Sequence, residues 1–434
     1  MRWAVVGGGA LGCSLAVQLR QQGHDVTVYE AAPELGGLAA PWQLGDITWD
    51  RHYHVTLLSD RRTNALYETI GLGQDVHWVE TKTGYYGPDR TLRSVSNAIE
   101  FLKLPGLSII DKGRLAATIL YGSRIHNGRR MERIGVEKWL RRWSGNSTFD
   151  TFWKPLLRAK LGEQYREASA AFIWATIQRL YAARRSGLKK EMFGYVGGGY
   201  RTVFEQLEQW FQTNDVQVLL NQPVARVGRS DDHESLQVTR ADGHTEQFDK
   251  VVVTLAAPLA ARVCPDLLPN EQRRLNDVQY LGIVCASLLL RRKLADYYLT
   301  YITDPDTPFT AVVEMTAFIN PDEVNGHSLV YLPKYTTADD PIFDLTDHQV
   351  RERFLPFLKG MYPDLKDDDV LDFKVSRVHQ VFAVPTLGYS ESAPSISTSV
   401  PGLYLAGSAN LPFSTLNVDD TLSLVDDVLR LSER

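Results

Sequence analysis

Trp3-Ala4-Val5-Val6-Gly7-Gly8-Gly9-Ala10-Leu11-Gly12-Cys13-Ser14-Leu15-Ala16 is the stretch that decides the fold. Trp3 to Val6 is a short apolar run of the kind a buried parallel strand needs. Gly7 to Gly12 spell GxGxxG. Leu15 and Leu19 then recur at helical spacing, and Cys13, Ser14 and Ala16 are small enough for that helix to lie close on a sheet. Gly23 ends the helix, and Val26 to Tyr29 has the alternation and β-branching of a second strand. Glu30 follows directly, 18 residues past Gly12.

Each part has a physical task. Gly7 permits the tight turn, Gly9 lets the backbone approach a pyrophosphate, and Gly12 lets the helix pack against the strand. The helix N-terminus at Ala10 and Leu11 offers free N–H groups and a positive dipole to the phosphates. A carboxylate at Glu30 accepts hydrogen bonds from an adenosine ribose and repels a 2′-phosphate, which disfavours NADP. A glycine-rich structural turn is the alternative. Strand, turn, helix, strand and acid in register favour the dinucleotide.

The chain continues Ala31-Ala32-Pro33-Glu34-Leu35-Gly36-Gly37. With this loop the sequence resembles the flavoprotein superfamily of amine oxidases, protoporphyrinogen oxidases and phytoene desaturases. The resemblance implies FAD, contacted by Gly7, Gly9, Ala10, Leu11, Gly12, Glu30, Ala31, Gly36, Gly37 and Leu38. That family often carries a basic residue just after Gly-Gly; Leu38 and Ala39 stand there instead. Further patches carry the same resemblance. Tyr195-Val-Gly-Gly-Gly-Tyr200 resembles the segment that re-enters the FAD domain, and Val224 falls where the family's backbone meets adenine. Lys250 to Thr254 reads as a buried strand, and Asp242-Gly243 as a hairpin turn. Near the end, Gly402 to Gly407 is a strand running into a glycine turn, and residues 415 to 420 open a last helix, Thr421 to Leu431. The resemblance implies that Gly407 and Ser408 approach the diphosphate or ribityl chain. It also brings Asn417, Val418 and Asp419 to the flavin pyrimidine; an ordinary N-cap explains the Asn and Asp equally well. The family usually has an acid where Ser408 stands. In this family a covalent flavin needs a cysteine near the C-terminal segment, and none follows Cys285, so the FAD is expected to be non-covalent.

The expected fold is α/β: a discontinuous Rossmann-like FAD-binding domain (1–75, 191–261 and 391–434) with an α+β substrate domain (76–190 and 262–390) carrying a mixed sheet and a helical subregion. A chain of 434 residues has room for both.

Composition narrows the partners. The net charge of -5 gives no reason to expect nucleic acid. Cys13, Cys264 and Cys285 form no CxxC pair, which argues against disulfides and a zinc site, so no metal is expected; a reducing cytoplasm is the simplest setting. Val278 to Leu290 is apolar but shorter than the about 20 residues a membrane span needs. Residues 102–124 mix Leu and Ile with Lys and Arg, as in a segment lying on the inner face of a membrane; helical core packing explains the same pattern.

The chemistry centres on Trp49-Asp50-Arg51-His52-Tyr53-His54, which resembles the His-rich stretch of bacterial flavoproteins and, more distantly, of UDP-galactopyranose mutase. A histidine near flavin N5 stabilises charge or shuttles a proton. His52 and His54 are therefore catalytic candidates, against the plainer reading of histidines bonded in a turn. Tyr389, near Pro385 and Gly388, is a third candidate at the flavin edge. Lys154, Arg158, Lys160, Lys334 and Tyr335 are weaker candidates for a substrate pocket. The strand Leu281 to Leu288 lacks the lysine that amine oxidases keep near N5, which argues against simple amine oxidation. The expected activity is FAD-dependent oxidation of a C–H or C–N bond in a lipophilic small molecule, with dioxygen or a quinone taking the electrons. Two alternatives stay open: a redox-neutral flavoenzyme on a nucleotide- or lipid-linked sugar, and a non-catalytic flavin-binding subunit.

Overall fold

The computed structural model describes residues 1–96, 100, 106–185, 192–230, 234–415 and 417–433. A five-stranded parallel sheet orders its strands Gln217–Leu219, Asp25–Tyr29, Arg2–Val6, Lys250–Val253 and Leu403–Leu405. Its strands come from the beginning, middle and end of the chain, so the backbone leaves this sheet and returns twice. Trp3 and Val5 pack to one face, Ala4 and Val6 to the other, as the two-residue period of a strand dictates. Both faces are covered, which is why these strands read as unbroken apolar runs. On one face lie the helices Ala10–Gln21, Tyr200–Thr213 and Val418–Ser432, through Leu15, Leu207 and Val425 among others. On the other lie the helix Ala257–Val263 and a meander, Val224–Arg229, Leu236–Arg240 and Thr245–Phe248, turning at Gly243 with its expected positive φ of 87°.

A second sheet has seven strands in the order Val370–Ala383, Tyr280–Leu290, Ser328–Thr337, Ala311–Glu314, Tyr297–Ile302, Lys82–Tyr86 and Leu92–Ser94. It is mixed, because Tyr297–Ile302 runs parallel to Lys82–Tyr86 while the other pairs are antiparallel. The apolar run that is too short for a membrane is its second strand, paired between the edge strand Val370–Ala383 and Ser328–Thr337. Val284, Ala286 and Leu288 face the helix Asp347–Met361, and Ile283, Cys285 and Leu289 face the hairpin Pro41–Leu44/Ile47–Asp50. Helices Ile109–Gly122, Gly128–Glu132, Val136–Ser144, Lys154–Leu161 and Ala170–Arg185 form a helical subregion around Leu115, Trp139, Phe149, Trp153 and Phe172.

Details differ from the sequence reading. The last helix begins at Val418 rather than Thr421, because Asn417 caps it. Val76–Glu80 pairs with Met192–Val196, joining segments on either side of the 75/76 division. Residues 102–105 of the basic amphipathic segment, residue 191 at a domain division and residue 416 before the last helix lie outside the described residues. Among the described residues no helix is long and apolar enough to cross a membrane.

Candidate functional site

The site grows from the carboxyl ends of the parallel strands. Gly7 turns the chain with φ 114°, and a Cβ there would lie 2.5 Å from Thr254 Oγ1. Gly12 carries the closest approach: a Cβ would sit 1.9 Å from the Gly7 carbonyl oxygen, so the helix rests on the turn only because no side chain intervenes. The helix start has no side-chain cap and no acid in its first turn, which leaves its N–H groups and dipole for an anion. Gly9 bridges Gly36, and Gly36 N donates to the Gly8 carbonyl at 2.9 Å, so the two glycine segments form one cradle.

Glu30 closes the cradle. Its carboxylate accepts from Gly8 N at 2.6 Å and from Ala32 N at 2.8 Å. The chain before Val224 is drawn to the same place: Gln222 N donates to the Glu30 carbonyl at 2.9 Å and Asn221 N to that of Ala32 at 3.0 Å. Leu38 is exposed beside this loop, where a basic residue was the family expectation. These residues fit a dinucleotide: glycine backbone for phosphates, an uncapped helix for their charge, and a carboxylate at ribose distance along the sheet.

The C-terminal turn meets the first strand's neighbour. Ala406 N donates to the Val253 carbonyl at 3.0 Å, and Gly407 N to Asn410 Oδ1 at 2.9 Å. Ser408 opens a one-turn 3-10 helix. Tyr389 lies against this turn, buried, its hydroxyl donating to the Ala409 carbonyl at 2.8 Å. Asn417 accepts from Asp420 N at 2.8 Å and so caps its own helix. Asp419 is committed elsewhere: Oδ1 accepts from Arg62 N at 2.7 Å and Thr63 N at 2.9 Å, capping the helix Arg61–Thr69. Val418 is the first residue of the last helix.

The His-rich stretch leaves the hairpin strand Ile47–Asp50 and runs between the two sheets. His52 Nδ1 lies 3.0 Å from the Leu38 carbonyl, which requires the proton on Nδ1 and leaves Nε2 as a buried acceptor without a hydrogen-bond partner among the described residues. His54 Nδ1 is also buried and unpartnered, and its ring packs 5.0 Å from that of Tyr200. Burial favours the neutral forms, lowering His52 to about 4 and His54 to about 3.

Sequence reasoning missed Asp50. Its Oδ1 accepts from Tyr200 N at 2.8 Å, anchoring the helix that follows Gly197-Gly198-Gly199, and its carbonyl accepts from the Tyr331 hydroxyl. Burial raises the carboxyl to about 8, although the Tyr200 N–H opposes the shift. Its 3.9 Å approach to His54 Nδ1 is therefore a contact of two neutral groups at pH 7 rather than an ion pair. The position of Asp50 two residues before His52 and four before His54 was the available signal. The weaker candidates scatter. Tyr335 hydrogen-bonds Tyr53 through their hydroxyls at 3.1 Å and carries Lys160 Nζ over its ring at 4.2 Å. Arg158 and Lys334 pair with Glu163 and Asp340. Among the described residues Lys154 makes no hydrogen bond or ion pair with this group.

Comparison with known proteins agrees with this geometry. The sequence pattern of flavin-containing amine oxidoreductases matches residues 12–412. The zeta-carotene desaturase of Synechocystis sp. (strain ATCC 27184 / PCC 6803 / Kazusa) is 23% identical over 94% of this chain and 92% of its own length. Among solved structures, putrescine oxidase bound to putrescine superposes with a TM-score of 0.77, at 14% identity over the whole of both chains. Reduced UDP-galactopyranose mutase does so with a TM-score of 0.76, at 14% identity over 100% of this chain and 96% of that one. With its fold and most of its length accounted for in this way, the chain belongs to the family of flavin-containing amine oxidoreductases, and is a flavin-dependent oxidoreductase.

Proposed function

We propose that this protein uses non-covalently held FAD to dehydrogenate or desaturate a lipophilic small molecule. The observation that carries the reading is the joined glycine cradle beside Glu30, beneath an uncapped helix N-terminus. Bound FAD supplies the two-electron chemistry. In this reading the backbone of Gly9, Ala10 and Leu11 holds the pyrophosphate, Glu30 and Ala31 the ribose, and Val224 the adenine edge. Gly407 and Ser408 take the ribityl side, and the backbone N–H groups at Val418 and Asp419 face the pyrimidine ring. His52 Nε2 is the acceptor for a substrate proton, and the half-buried Tyr53 with the buried Tyr331 and Val381 supports an apolar substrate. Non-covalent binding is supported by the burial of Cys13, Cys264 and Cys285, whose thiols burial pushes upward. Dioxygen or a quinone completes the cycle. In this reading the protein works in the cytoplasm, and peripheral membrane contact is supported by Ile109 and Ile110, 77% and 71% exposed at the start of their helix.

The test is anaerobic titration of the flavin-loaded protein with polyenes, porphyrinogens and amines. Bleaching by a lipophilic substrate without added reductant supports the reading. A second reading, redox-neutral turnover of a nucleotide- or lipid-linked sugar, is favoured by the two neutral histidines in a mutase-like stretch, each with one buried ring nitrogen that has no hydrogen-bond partner among the described residues. Turnover of such a sugar only after prereduction, with no net electron transfer, selects it instead.

A further inference from the structure

The helix Val136–Ser144 carries two stripes at i, i+4 spacing: Lys138 with Arg142, and Trp139 with Trp143. Like charges one turn apart repel, and a helix usually relieves this with an acid. Its own Arg141 shows the usual solution, bound by both Glu137 and Asp150. Lys138 and Arg142 pair with no carboxylate among the described residues, nor does the side chain of Arg130 on the neighbouring short helix. All three border a cavity of about 500 Å³, within the ordinary range for small-ligand sites. No acid lines it. A fourth cation at the rim, Arg133, reaches Glu391 only at 3.7 Å.

The walls are aromatic. Tyr121 packs on Trp143 with ring centroids 4.2 Å apart and the rings tilted by 33°, and Trp139 forms the buried side. Tyr121 and Trp143 remain 39% and 40% exposed and Leu387, opposite, 57%, a cluster of large apolar groups that water solvates poorly. The chain as a whole is acidic, so this concentration of positive charge is local.

We propose that this cavity is a binding site, separate from the flavin cradle, for a small anionic amphiphile: a phosphate or carboxylate on a ring-containing apolar body. The anion sits between Lys138, Arg142 and Arg130, and the body lies against Tyr121, Trp139 and Trp143. Isothermal titration of the flavin-loaded protein with 1-naphthyl phosphate, 1-naphthol and inorganic phosphate tests it. The expected result is saturable binding of naphthyl phosphate, at least about tenfold tighter than either fragment. The double variant K138Q/R142Q, altered only at exposed positions, loses at least about tenfold in affinity while keeping its flavin and thermal transition. W143A, tested alongside, weakens naphthyl phosphate but not inorganic phosphate. Equal affinity for naphthol and naphthyl phosphate, unchanged affinity in the double variant, or no binding overturns the proposal. So does binding to phosphatidylglycerol vesicles that depends on Lys138 and Arg142 while free naphthyl phosphate fails to bind, which assigns the face to a membrane.

Discussion

Asp50→Asn isolates the cost of burying a carboxyl at the centre of the site. An exposed aspartate ionises near 3.8, whereas burial raises Asp50 to about 8. Below 3.8 both folded and unfolded chains hold the proton, and the group costs nothing. As pH rises between the two values the unfolded chain ionises while the folded one stays protonated, so each unit removes about 1.4 kcal/mol of stability. At pH 7 the accumulated loss is about 4 kcal/mol. Asparagine keeps an oxygen for Tyr200 N and presents an N–H₂ toward the unpartnered His54 Nδ1, without a titrating proton. The two histidines oppose this slope: their lowered values make stability complete above 6.5 and lost as pH falls toward 4 and 3, but they do so in both proteins and cancel in the difference. Urea unfolding of the flavin-free chains from pH 4 to 8 measures that difference. The variant is expected to lie within about 1 kcal/mol of wild type at pH 4 and to exceed it by about 4 kcal/mol at pH 7 and about 5 kcal/mol at pH 8. Parallel profiles across this range refute the reasoning, and with it the neutral state assigned to Asp50.

Three further outcomes are expected. Gly12→Ala forces a methyl group to 1.9 Å from the Gly7 carbonyl, so the purified variant should retain little or no flavin absorbance and lose several degrees of thermal stability. Glu30→Ala removes the acceptor of Gly8 N and Ala32 N as well as the proposed ribose partner, and equilibrium dialysis should show FAD affinity reduced by about 10- to 100-fold. Asn417→Ala deletes the cap of the last helix and should cost about 1 kcal/mol in denaturant unfolding, with FAD affinity falling less than in Glu30→Ala.

The geometry of the glycine cradle was legible because its signals are local. Gly7 to Gly12, Glu30 and Gly36-Gly37 lie within the first 37 residues, and their spacing alone implies strand, turn, helix, strand and loop. The seven-stranded sheet was legible only as apolar segments, because the pairing of Tyr297–Ile302 with Lys82–Tyr86 joins segments far apart in the chain. Asp50 was overlooked for the same reason: its backbone partner Tyr200 lies 150 residues away and Tyr331 281. Asp419 shows the reverse problem. An acid in a helix's first turn looks like a partner for that helix's own dipole, yet its carboxylate caps a helix some 356 residues earlier. The stripes Lys138/Arg142 and Trp139/Trp143 were written in the sequence at helical spacing, but their meaning depends on Tyr121 and Leu387 closing the cavity from other elements.

The central claim is that the glycine cradle holds FAD without a covalent bond. It is tested most directly by recording the visible spectrum of the purified protein, denaturing it by heat and identifying any flavin in the supernatant. The account predicts the two visible bands of oxidised flavin and release of intact FAD into the supernatant. A colourless protein that takes up no added FAD, or a flavin that stays with the precipitated chain, contradicts it.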